Sequence, residues 1–376
     1  MNIKKKLLAI FLSLTIIVAT FPNVAIAGDE TRIKGLRESF NAKSTTRIVD
    51  EIKVYPADNR EVMLQLLNGE TNVFETVKTF HIGDNGIARV EYPDQRKSKT
   101  YTTWRIYIPE NNGASEYTSE DITITTKNIA DQKLNSKAAC IYSVDRDVVI
   151  YDENMNSKRK QASTTKLMTA LLTFEGTNLN SKSKVSNYAA RTPWGIVHVR
   201  PGDMYYTRHL LNALLVASSN ESANVLAEKN AGTVSAFVGK MNRKCDILSL
   251  NNTQYKNTHG LDAKGHYTTA YDLARLTKEL IKYPEFLGII KKKKYTLKSV
   301  KYKKKVTLEA TNELIGYSEF FLGGKTGYDC GAGYCFSGIY KYKGETFIAT
   351  TLGATSNDER FNDSKRLYRY IKAYGA

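Results

Sequence analysis

The sequence predicts two folded domains of different class, a small all-β sandwich followed by a larger α+β domain. The chain has 376 residues, and single cores rarely grow far beyond about 250 residues before a chain divides. Its hydrophobic content of 41% and charged content of 25% are ordinary globular values, which exclude a disordered, collagen-like or polytopic membrane protein. The hydrophobic pattern changes near residue 130. We therefore expect a β-rich domain over residues 28–130 and a second domain over residues 131–376.

The first 27 residues are typical of an export signal. Three lysines precede an apolar run from Leu7 to Thr20, and Ala25-Ile26-Ala27 provides a small-x-small cleavage site before Gly28. The apolar run is short for a bilayer about 30 Å thick, so a cleaved signal peptide is expected rather than the alternative, an uncleaved anchor helix. No other segment of the sequence reaches membrane-spanning length. We expect a secreted, extracytoplasmic protein without an anchor of its own.

Residues 28–130 contain short runs rich in Val, Ile, Thr and Tyr. Turn sequences such as Asn68-Gly69 and Asp84-Asn85-Gly86 separate these runs at hairpin intervals. About 100 residues of this kind indicate a small β-sandwich. No cluster of catalytic residue types occurs in it.

Residues 131–376 mix strand and helix patterns. A strand pair is predicted near 138–151, four strand segments are predicted between 294 and 352, and helical periodicity dominates the stretch between them. Strands at both ends of a helical middle indicate an α+β domain whose sheet is assembled from distant segments. After an amphipathic helix beginning near residue 166, helices are predicted at 207–216, 222–230, 234–248, 269–282 and 357–374.

Ser163-Thr164-Thr165-Lys166 is an S-x-x-K sequence at the head of the first predicted helix. Residues i and i+3 share a helix face, so the Lys166 amine is expected beside the Ser163 oxygen, where the helix N-terminus favours developing negative charge. Burial lowers the pKa of a lysine because it disfavours the charged form, and Lys166 would then act as a base near neutral pH. The alternative is a helix-capping serine with a solvated lysine.

Two further motifs are weak individually. Ser218-Ser219-Asn220 lies between two predicted helices, where Ser218 would relay a proton and Asn220 would bind a substrate amide; the alternative is that Asn220 caps the second helix. Gly323-Gly324-Lys325-Thr326-Gly327 lies in a predicted strand, and glycine inside a strand indicates close backbone approach. An extended peptide would pair with this strand and present its carboxylate to Lys325 and Thr326. The alternative is a turn with a solvated lysine.

In this order the three motifs match a set known from serine acyl-transfer enzymes that bind penicillin. Residues from about 136 to 376 resemble the serine D-alanyl-D-alanine carboxypeptidases, the low-molecular-weight penicillin-binding proteins. The resemblance implies a catalytic domain of the serine β-lactamase and penicillin-binding-protein type, with an antiparallel sheet, helices on its faces and a helical subdomain. The sequences that carry it are Gln161–Thr169, Leu214–Ala223, His259–Asp262, His266–Ala270, Lys325–Tyr328 and Ala332–Cys335.

The resemblance implies a mechanism on peptidoglycan stem peptides. Ser163 would attack the carbonyl between the two terminal D-alanines, and Lys166 would accept its proton. Ser218 and Lys325 would pass the proton to the departing D-alanine, while Asn220 would hold the acyl side chain. β-Lactam antibiotics would acylate the same serine, and no cofactor is implied. The backbone N–H groups of Ser163 and Tyr328 would form the oxyanion hole, and the substrate-binding residues would be Thr326, Gly327, Tyr328 and Arg360.

The surplus positive charge belongs to the second half of the chain. The formal net charge is +17, but residues 28–135 carry 15 basic against 17 acidic residues. The densest basic runs are Lys291–Lys294 and Lys303–Lys305. In an exported protein this segment predicts binding to anionic cell-wall polymers rather than nucleic acid, with a merely solvated hairpin as the alternative. The five histidines show no metal-ligand spacing, so no metal site is expected.

Three rival functions share parts of this pattern. A D,D-endopeptidase that cuts cross-linked peptidoglycan would use the same residues. A class A β-lactamase adds a glutamate spaced E-x-x-x-N, which no segment between Asn220 and Lys325 matches, since Glu309 and Asn312 are one residue too close. The third is a wall-binding protein without activity.

The chain also departs from the family. Many members carry a β-domain after the catalytic domain, whereas here it comes first. Tyr328-Asp329-Cys330-Gly331 replaces the threonine and small residues usual in members, so this wall of the site is expected to differ. The four cysteines are too sparse for a disulfide scaffold, and reduced thiols are expected, although export permits one bridge.

Overall fold

The fold is described from a computed structural model, which covers residues 30–36, 39–41, 49–57, 60–68, 71–92, 101–111, 113–125 and 133–374. The predicted signal peptide, residues 1–27, lies outside these ranges. Among the described residues, no helix combines the length and the apolar character needed to cross a bilayer.

Residues 30–125 form two β-sheets that share one core. A three-stranded sheet has the order β1-β3-β6, and a second sheet has the order β2-β9-β7-β4-β5, with β8 paired to β7. Alternate residues point inward, so that Ile52, Leu64 and Trp104 from both sheets lie in a single apolar cluster. The strands are β1 Arg32–Lys34, β2 Ser39–Asn41, β3 Val49–Tyr55, β4 Glu61–Leu67, β5 Phe74–His81, β6 Ile87–Glu91, β7 Tyr101–Ile108, β8 Tyr117–Thr118 and β9 Ile122–Thr125.

A five-stranded antiparallel sheet forms the centre of the second part, with strand order β11-β10-β18-β17-β16. Strands from both ends of this part pair directly, as the sequence predicted: Ala138 is the partner of Leu352. The sheet strands are β10 Ala138–Ser143, β11 Val148–Glu153, β16 Phe321–Asp329, β17 Gly333–Tyr342 and β18 Glu345–Ala354. Two small ribbons pair β12 Lys182–Lys184 with β13 Met204–Tyr206 and β14 Lys294–Lys298 with β15 Lys305–Glu309.

Helices cover both faces of this sheet. Along β10, Cys140 belongs to the apolar cluster of the helical subdomain, and its neighbour Ile141 belongs to the cluster under the C-terminal helix. This alternation follows from the two-residue period of a strand. The helices are α1 Lys166–Gly176, α2 Asn187–Ala190, α3 Thr207–Val216, α4 Asn220–Ala231, α5 Val234–Ile247, α6 Ala270–Ile281, α7 Pro284–Ile290 and α8 Asn357–Tyr374.

Two predicted elements differ in detail. Pro284, which follows the helix predicted over 269–282, begins a further helix, α7, at its first position, where a missing N–H costs nothing. The stretch 294–311, assigned to strand without a divided turn, is a hairpin whose two strands pair Lys294 with Glu309 and Lys298 with Lys305.

The N-terminal sheets meet the second part at a charged junction. The Arg89 guanidinium lies 3.9 Å from the Asp152 carboxylate and 5.2 Å from the Tyr271 ring. Glu51 on β3 is only 4% exposed, and burial raises its pKa to about 7 although the Arg275 charge opposes the shift. Ionisation of Glu51 at this junction therefore lowers the free energy of unfolding.

Candidate active site

Ser163 lies in a single 3₁₀ turn, Ala162–Thr165, that leads directly into α1. Residues i and i+3 eclipse in such a turn, so the Ser163 Oγ and the Lys166 Nζ are 2.7 Å apart. Ala162 has φ 46°, a left-handed conformation that is unfavourable for alanine and is held by the surrounding structure. Gly260, with φ 97°, packs so closely on Ala162 that a β-carbon would collide with its carbonyl oxygen.

Lys166 is fully buried beneath the serine. Its Nζ lies 2.7 Å from each of three oxygens, Ser163 Oγ, Asn220 Oδ1 and the His259 carbonyl. Burial holds the pKa of Lys166 well below its usual 10.5, and the Lys325 charge lowers it further. A neutral amine has two N–H groups and one lone pair. It can donate to the two carbonyl oxygens and accept the Ser163 proton, which is the arrangement of a base; the alternative of a solvated lysine is wrong.

Ser218 and Asn220 stand between α3 and α4. Ser218 has φ 64°, and its Oγ accepts a hydrogen bond of 2.9 Å from Lys325 Nζ. Ser219 caps α4, since its Oγ accepts from the Ser222 N–H, so the alternative that Asn220 is the cap is wrong. The Asn220 amide instead accepts from Lys166 and donates to the Pro193 carbonyl at 3.0 Å.

Lys325 lies within strand β16 and is 1% exposed, so the alternative of a turn with a solvated lysine is wrong. Its Nζ donates to Ser218 Oγ at 2.9 Å and to the Thr326 carbonyl at 2.7 Å. Burial lowers the pKa of Lys325 to about 7, with a further contribution from the positive charge of Arg360. A β-carbon on Gly327 would lie 3.1 Å from the Ser163 nitrogen, so glycine allows β16 to approach the serine turn.

These groups meet at one cleft with a volume of about 760 Å³. Seven of the nine predicted site residues line it, and Lys166 and Lys325 lie behind it in contact with the two serines. The seven are Ser163, Ser218, Asn220, Thr326, Gly327, Tyr328 and Arg360.

Arg360, near the start of α8, reaches the cleft from the side of β16. It is 5% exposed, and its Nη1 donates to the Gly327 carbonyl at 3.1 Å. Its Nη2 donates to Asn357, and its Nε has no partner among the described residues. Burial lowers the pKa of Arg360 to about 10, so the guanidinium is charged at neutral pH. A charged guanidinium that lines the cleft suits an anionic ligand group.

Sequence reasoning missed several cleft residues. Thr311 Oγ1 lies 2.5 Å from Thr326 Oγ1, but it follows β15 without any motif. Trp194 and Ile196 also line the cleft. The one available signal was Pro193-Trp194-Gly195, a large apolar residue inside a turn sequence.

Both histidines near the site are neutral structural groups. The Thr165 Oγ1 and His266 Nε2 atoms are 2.7 Å apart, and the Lys256 N–H donates to His266 Nδ1. Burial lowers the pKa of His259 to about 3 and that of His266 to about 4. Glu309, the nearest match to a β-lactamase glutamate, is exposed on β15 and pairs with Lys294 at 3.0 Å, away from the cleft.

The four cysteines are free thiols. Cys330 is exposed at the cleft rim, while Cys335 lies buried in β17. Burial raises the pKa of Cys335 to about 12 and that of Cys245 to about 12, which makes both unreactive.

A family model described as D-alanyl-D-alanine carboxypeptidase, peptidase S11, matches residues 124–356. The chain belongs to this family. It is 34% identical over 233 residues to the D-alanyl-D-alanine carboxypeptidase DacF of Bacillus subtilis, covering 60% of this chain and 59% of the relative. It is 30% identical over 237 residues to a D-alanyl-D-alanine carboxypeptidase of Streptomyces sp. strain K15, covering 59% and 81%. Against the Bacillus relative, the chain therefore spans less than two thirds of the protein it matches.

Solved structures of this family have the same fold. The crystal structure of the Streptomyces K15 DD-transpeptidase superposes with a TM-score of 0.61 at 28% identity, covering 65% of this chain and all of that chain. Penicillin-binding protein D2 of Listeria monocytogenes, in an ampicillin-bound form, gives 0.57 at 30% identity, covering 64% and 98%. The α+β fold, predicted from the order of strand and helix patterns, and the penicillin-binding type and serine hydrolase family, implied by the resemblance, are confirmed.

Proposed function

We propose that this protein is an exported serine D-alanyl-D-alanine carboxypeptidase that removes the terminal D-alanine from peptidoglycan stem peptides. The observation that carries the proposal is the Lys166 amine, buried and held 2.7 Å from the Ser163 Oγ. A serine hydroxyl is a weak nucleophile until a base accepts its proton. A buried neutral lysine at hydrogen-bond distance supplies that base at neutral pH.

Acylation would begin with the Ser163 Oγ attacking the carbonyl between the two D-alanines. The proton passes to Lys166, and the oxygen of the tetrahedral intermediate lies between the N–H groups of Ser163 and Tyr328. Each such donor typically contributes about 3 to 4 kcal/mol of transition-state stabilisation. The close approach that Gly327 allows between β16 and the serine turn supports this role.

Departure of D-alanine requires a proton on its nitrogen. Ser218 Oγ and Lys325 Nζ, 2.9 Å apart, form the relay, and a Lys325 pKa of about 7 lets the amine both give and take a proton near neutral pH. Thr326 and the Arg360 guanidinium would bind the terminal carboxylate of the substrate. Water then hydrolyses the acyl-enzyme, whereas a β-lactam remains attached to Ser163.

The activity is tested with purified pentapeptide and cross-linked muropeptides, followed by mass spectrometry. Release of one D-alanine from the pentapeptide by the wild type, and none by Ser163→Ala, is the expected result. Cleavage of cross-links without loss of the terminal D-alanine would identify a D,D-endopeptidase instead. Hydrolysis of neither substrate would refute the proposal.

We also propose that the protein acts outside the cytoplasm, associated with the cell wall. The support is the signal-like sequence of residues 1–27, with its lysines, apolar run and small-residue cleavage site. Mass spectrometry of the protein from fractionated cells should find a mature N-terminus at Gly28 in the wall or medium fraction. Intact chains confined to the cytoplasm would contradict it.

The basic segment, residues 291–305, is proposed to bind anionic wall polymers. Not all of its lysines are available: Lys292 donates to Asn212 at 2.6 Å, and Lys304 approaches the Val197 carbonyl. Attraction between exposed charges is screened as the Debye length falls from about 10 Å at 0.1 M salt to about 3 Å at 1 M. The four lysines best placed to meet a polymer are exposed on the surface, namely Lys291, Lys298, Lys303 and Lys305.

A sedimentation assay with isolated walls tests this role. Changing those four lysines to Gln should weaken binding at low salt, while turnover of a soluble peptide stays unchanged. The matched control removes the same charge from exposed lysines elsewhere and should bind like the wild type. Equal loss in both variants would show that only net charge matters, and no loss would refute the proposal. The control lysines are Lys133, Lys137, Lys229 and Lys341.

A further inference from the structure

One wall of the cleft carries a large apolar side chain that the mechanism does not use. Trp194 is 82% exposed, and its neighbour Ile196 is 43% exposed; both line the cleft with Ser163. Isolated apolar residues are common on protein surfaces and need no explanation. Trp194 and Ile196, however, lie together in the cleft of the nucleophile, on a loop whose backbone is fixed by hydrogen bonds. Together they form an apolar surface that a ligand could contact.

The loop that carries Trp194 and Ile196 is held in position by α4, although the indole itself is exposed. The Glu221 carboxylate is 1% exposed and accepts hydrogen bonds of 3.0 Å from the Val197 and His198 N–H groups. It also accepts from Ser219 Oγ at 2.9 Å. Gly195 packs directly on this carboxylate, where a β-carbon would overlap it. The position of the loop is therefore set before any ligand binds.

The loop also fixes which end of a substrate the indole would meet. Asn220, the residue proposed to hold the acyl side chain, donates to the Pro193 carbonyl, and Trp194 follows at once. The leaving-group side is instead the part of the cleft lined by Thr326 and Arg360, the residues proposed to bind the terminal carboxylate. Trp194 thus lies on the acyl side of the scissile carbonyl.

We propose that Trp194 and Ile196 form an apolar subsite for the acyl portion of the substrate, the group that precedes the scissile D-alanyl-D-alanine. This inference rests on the proposed function and deepens it. The subsite takes an aliphatic or aromatic group, because the indole face and the branched alkyl side chain present apolar surface that a group of this kind would cover. Among β-lactams it would favour those with an aromatic acyl side chain.

Two penicillins separate this subsite from the catalytic residues. Benzylpenicillin carries a phenyl group on its acyl side chain, whereas 6-aminopenicillanic acid has no acyl side chain. Trp194→Ala should lower the second-order rate constant for acylation by benzylpenicillin about tenfold, the scale of an aromatic contact plus its buried area. Acylation by 6-aminopenicillanic acid should change less than about twofold, since that compound leaves the subsite empty.

Control variants make the result specific. Trp194→Phe keeps an aromatic ring and should retain most of the benzylpenicillin rate. Tyr188→Ala removes another exposed aromatic side chain, outside the cleft, and should behave as the wild type with both compounds. An equal effect of Trp194→Ala on both penicillins, or no effect on either, would overturn the subsite while leaving the proposed function intact. A wild type that neither compound acylates would overturn the proposed function itself.

Fluorescence gives an independent readout. The chain has two tryptophans, and Trp104 is buried in the N-terminal core, so Trp194 reports on the cleft. Acylation by benzylpenicillin should shift its emission to shorter wavelength, and Trp194→Phe, which keeps Trp104, should show no shift. Unchanged emission from fully acylated wild type would contradict contact between the indole and the acyl side chain.

Discussion

Burial of the Lys325 amine should lower the free energy of unfolding of the protein, and Lys325→Met should restore part of that free energy. The side chain is 1% exposed inside β16, and its amine has a pKa of about 7 against an ordinary value of 10.5. Methionine has similar length and no charge to desolvate. The variant should lose acylation, because the relay to Ser218 is gone, yet unfold less readily at neutral pH.

The magnitude follows from proton linkage. Between pH 7 and 10.5 the unfolded chain binds a proton at this position that the folded chain does not, so stability rises with pH across that window. Each unit of pKa shift corresponds to about 1.4 kcal/mol, which gives a penalty of about 4 kcal/mol at pH 7 and about 1 kcal/mol at pH 9.5. Lys325→Met also loses two hydrogen bonds, to Ser218 Oγ and the Thr326 carbonyl. Their loss reduces the gain in stability by about 1 to 3 kcal/mol at either pH.

Urea unfolding of the wild type and Lys325→Met at both pH values measures the difference. The variant should be more stable by about 1 to 3 kcal/mol at pH 7, and this advantage should shrink by about 3 kcal/mol at pH 9.5. Lys325→Arg, which keeps the charge, is the matched control and should show no gain. A difference between the wild type and Lys325→Met that is the same at the two pH values would refute a lysine neutralised by burial.

Three further predictions concern other buried titratable groups. Lys166→Ala should slow acylation about 10²- to 10⁴-fold while the protein stays folded, which stopped-flow with a chromogenic β-lactam checks; an unchanged rate would exclude Lys166 as the base. Ionisation of Glu51 should lower the free energy of unfolding of the wild type by about 2 to 3 kcal/mol between about pH 5 and pH 8, because its raised pKa of about 7 makes the charged form unfavourable in the folded state. Glu51→Gln should not show this decrease, and parallel pH profiles of the two proteins in urea unfolding would argue against the prediction. Asp363→Asn should lower the free energy of unfolding by about 3 kcal/mol, because this fully buried carboxylate accepts from the Asn135 N–H and from both the N–H and Oγ of Ser136; a loss below about 1 kcal/mol would contradict that role.

Local sequence predicted the parts of the site that depend on short spacing. Two of the three motifs lie at helix ends and the third lies within a strand, and the limits of some of these elements were readable: Thr207–Val216, which precedes Ser218, and Asn357–Tyr374, which carries Arg360, match the predicted helices to the residue. Helix and strand periods, and the pairing of distant strands in an α+β fold, carried this information.

Features that depend on tertiary contact could not be predicted. The S-x-x-K spacing suits an α-helix as well as the 3₁₀ turn that holds Ser163. The turn between β14 and β15, residues 299–304, contains no Gly, Pro, Asn or Asp, so no sequence signal located the turn of this hairpin. Trp194 entered the cleft only because Glu221, distant in sequence from the loop, holds the backbone there.

Ser163 is the residue that should become acylated. Incubation of the protein with benzylpenicillin, followed by intact-mass measurement and peptide mapping, tests it most directly. We expect one adduct per chain, mapped to Ser163, and no adduct on Ser163→Ala. An adduct on Ser218, or one retained by the Ser163→Ala variant, would contradict it.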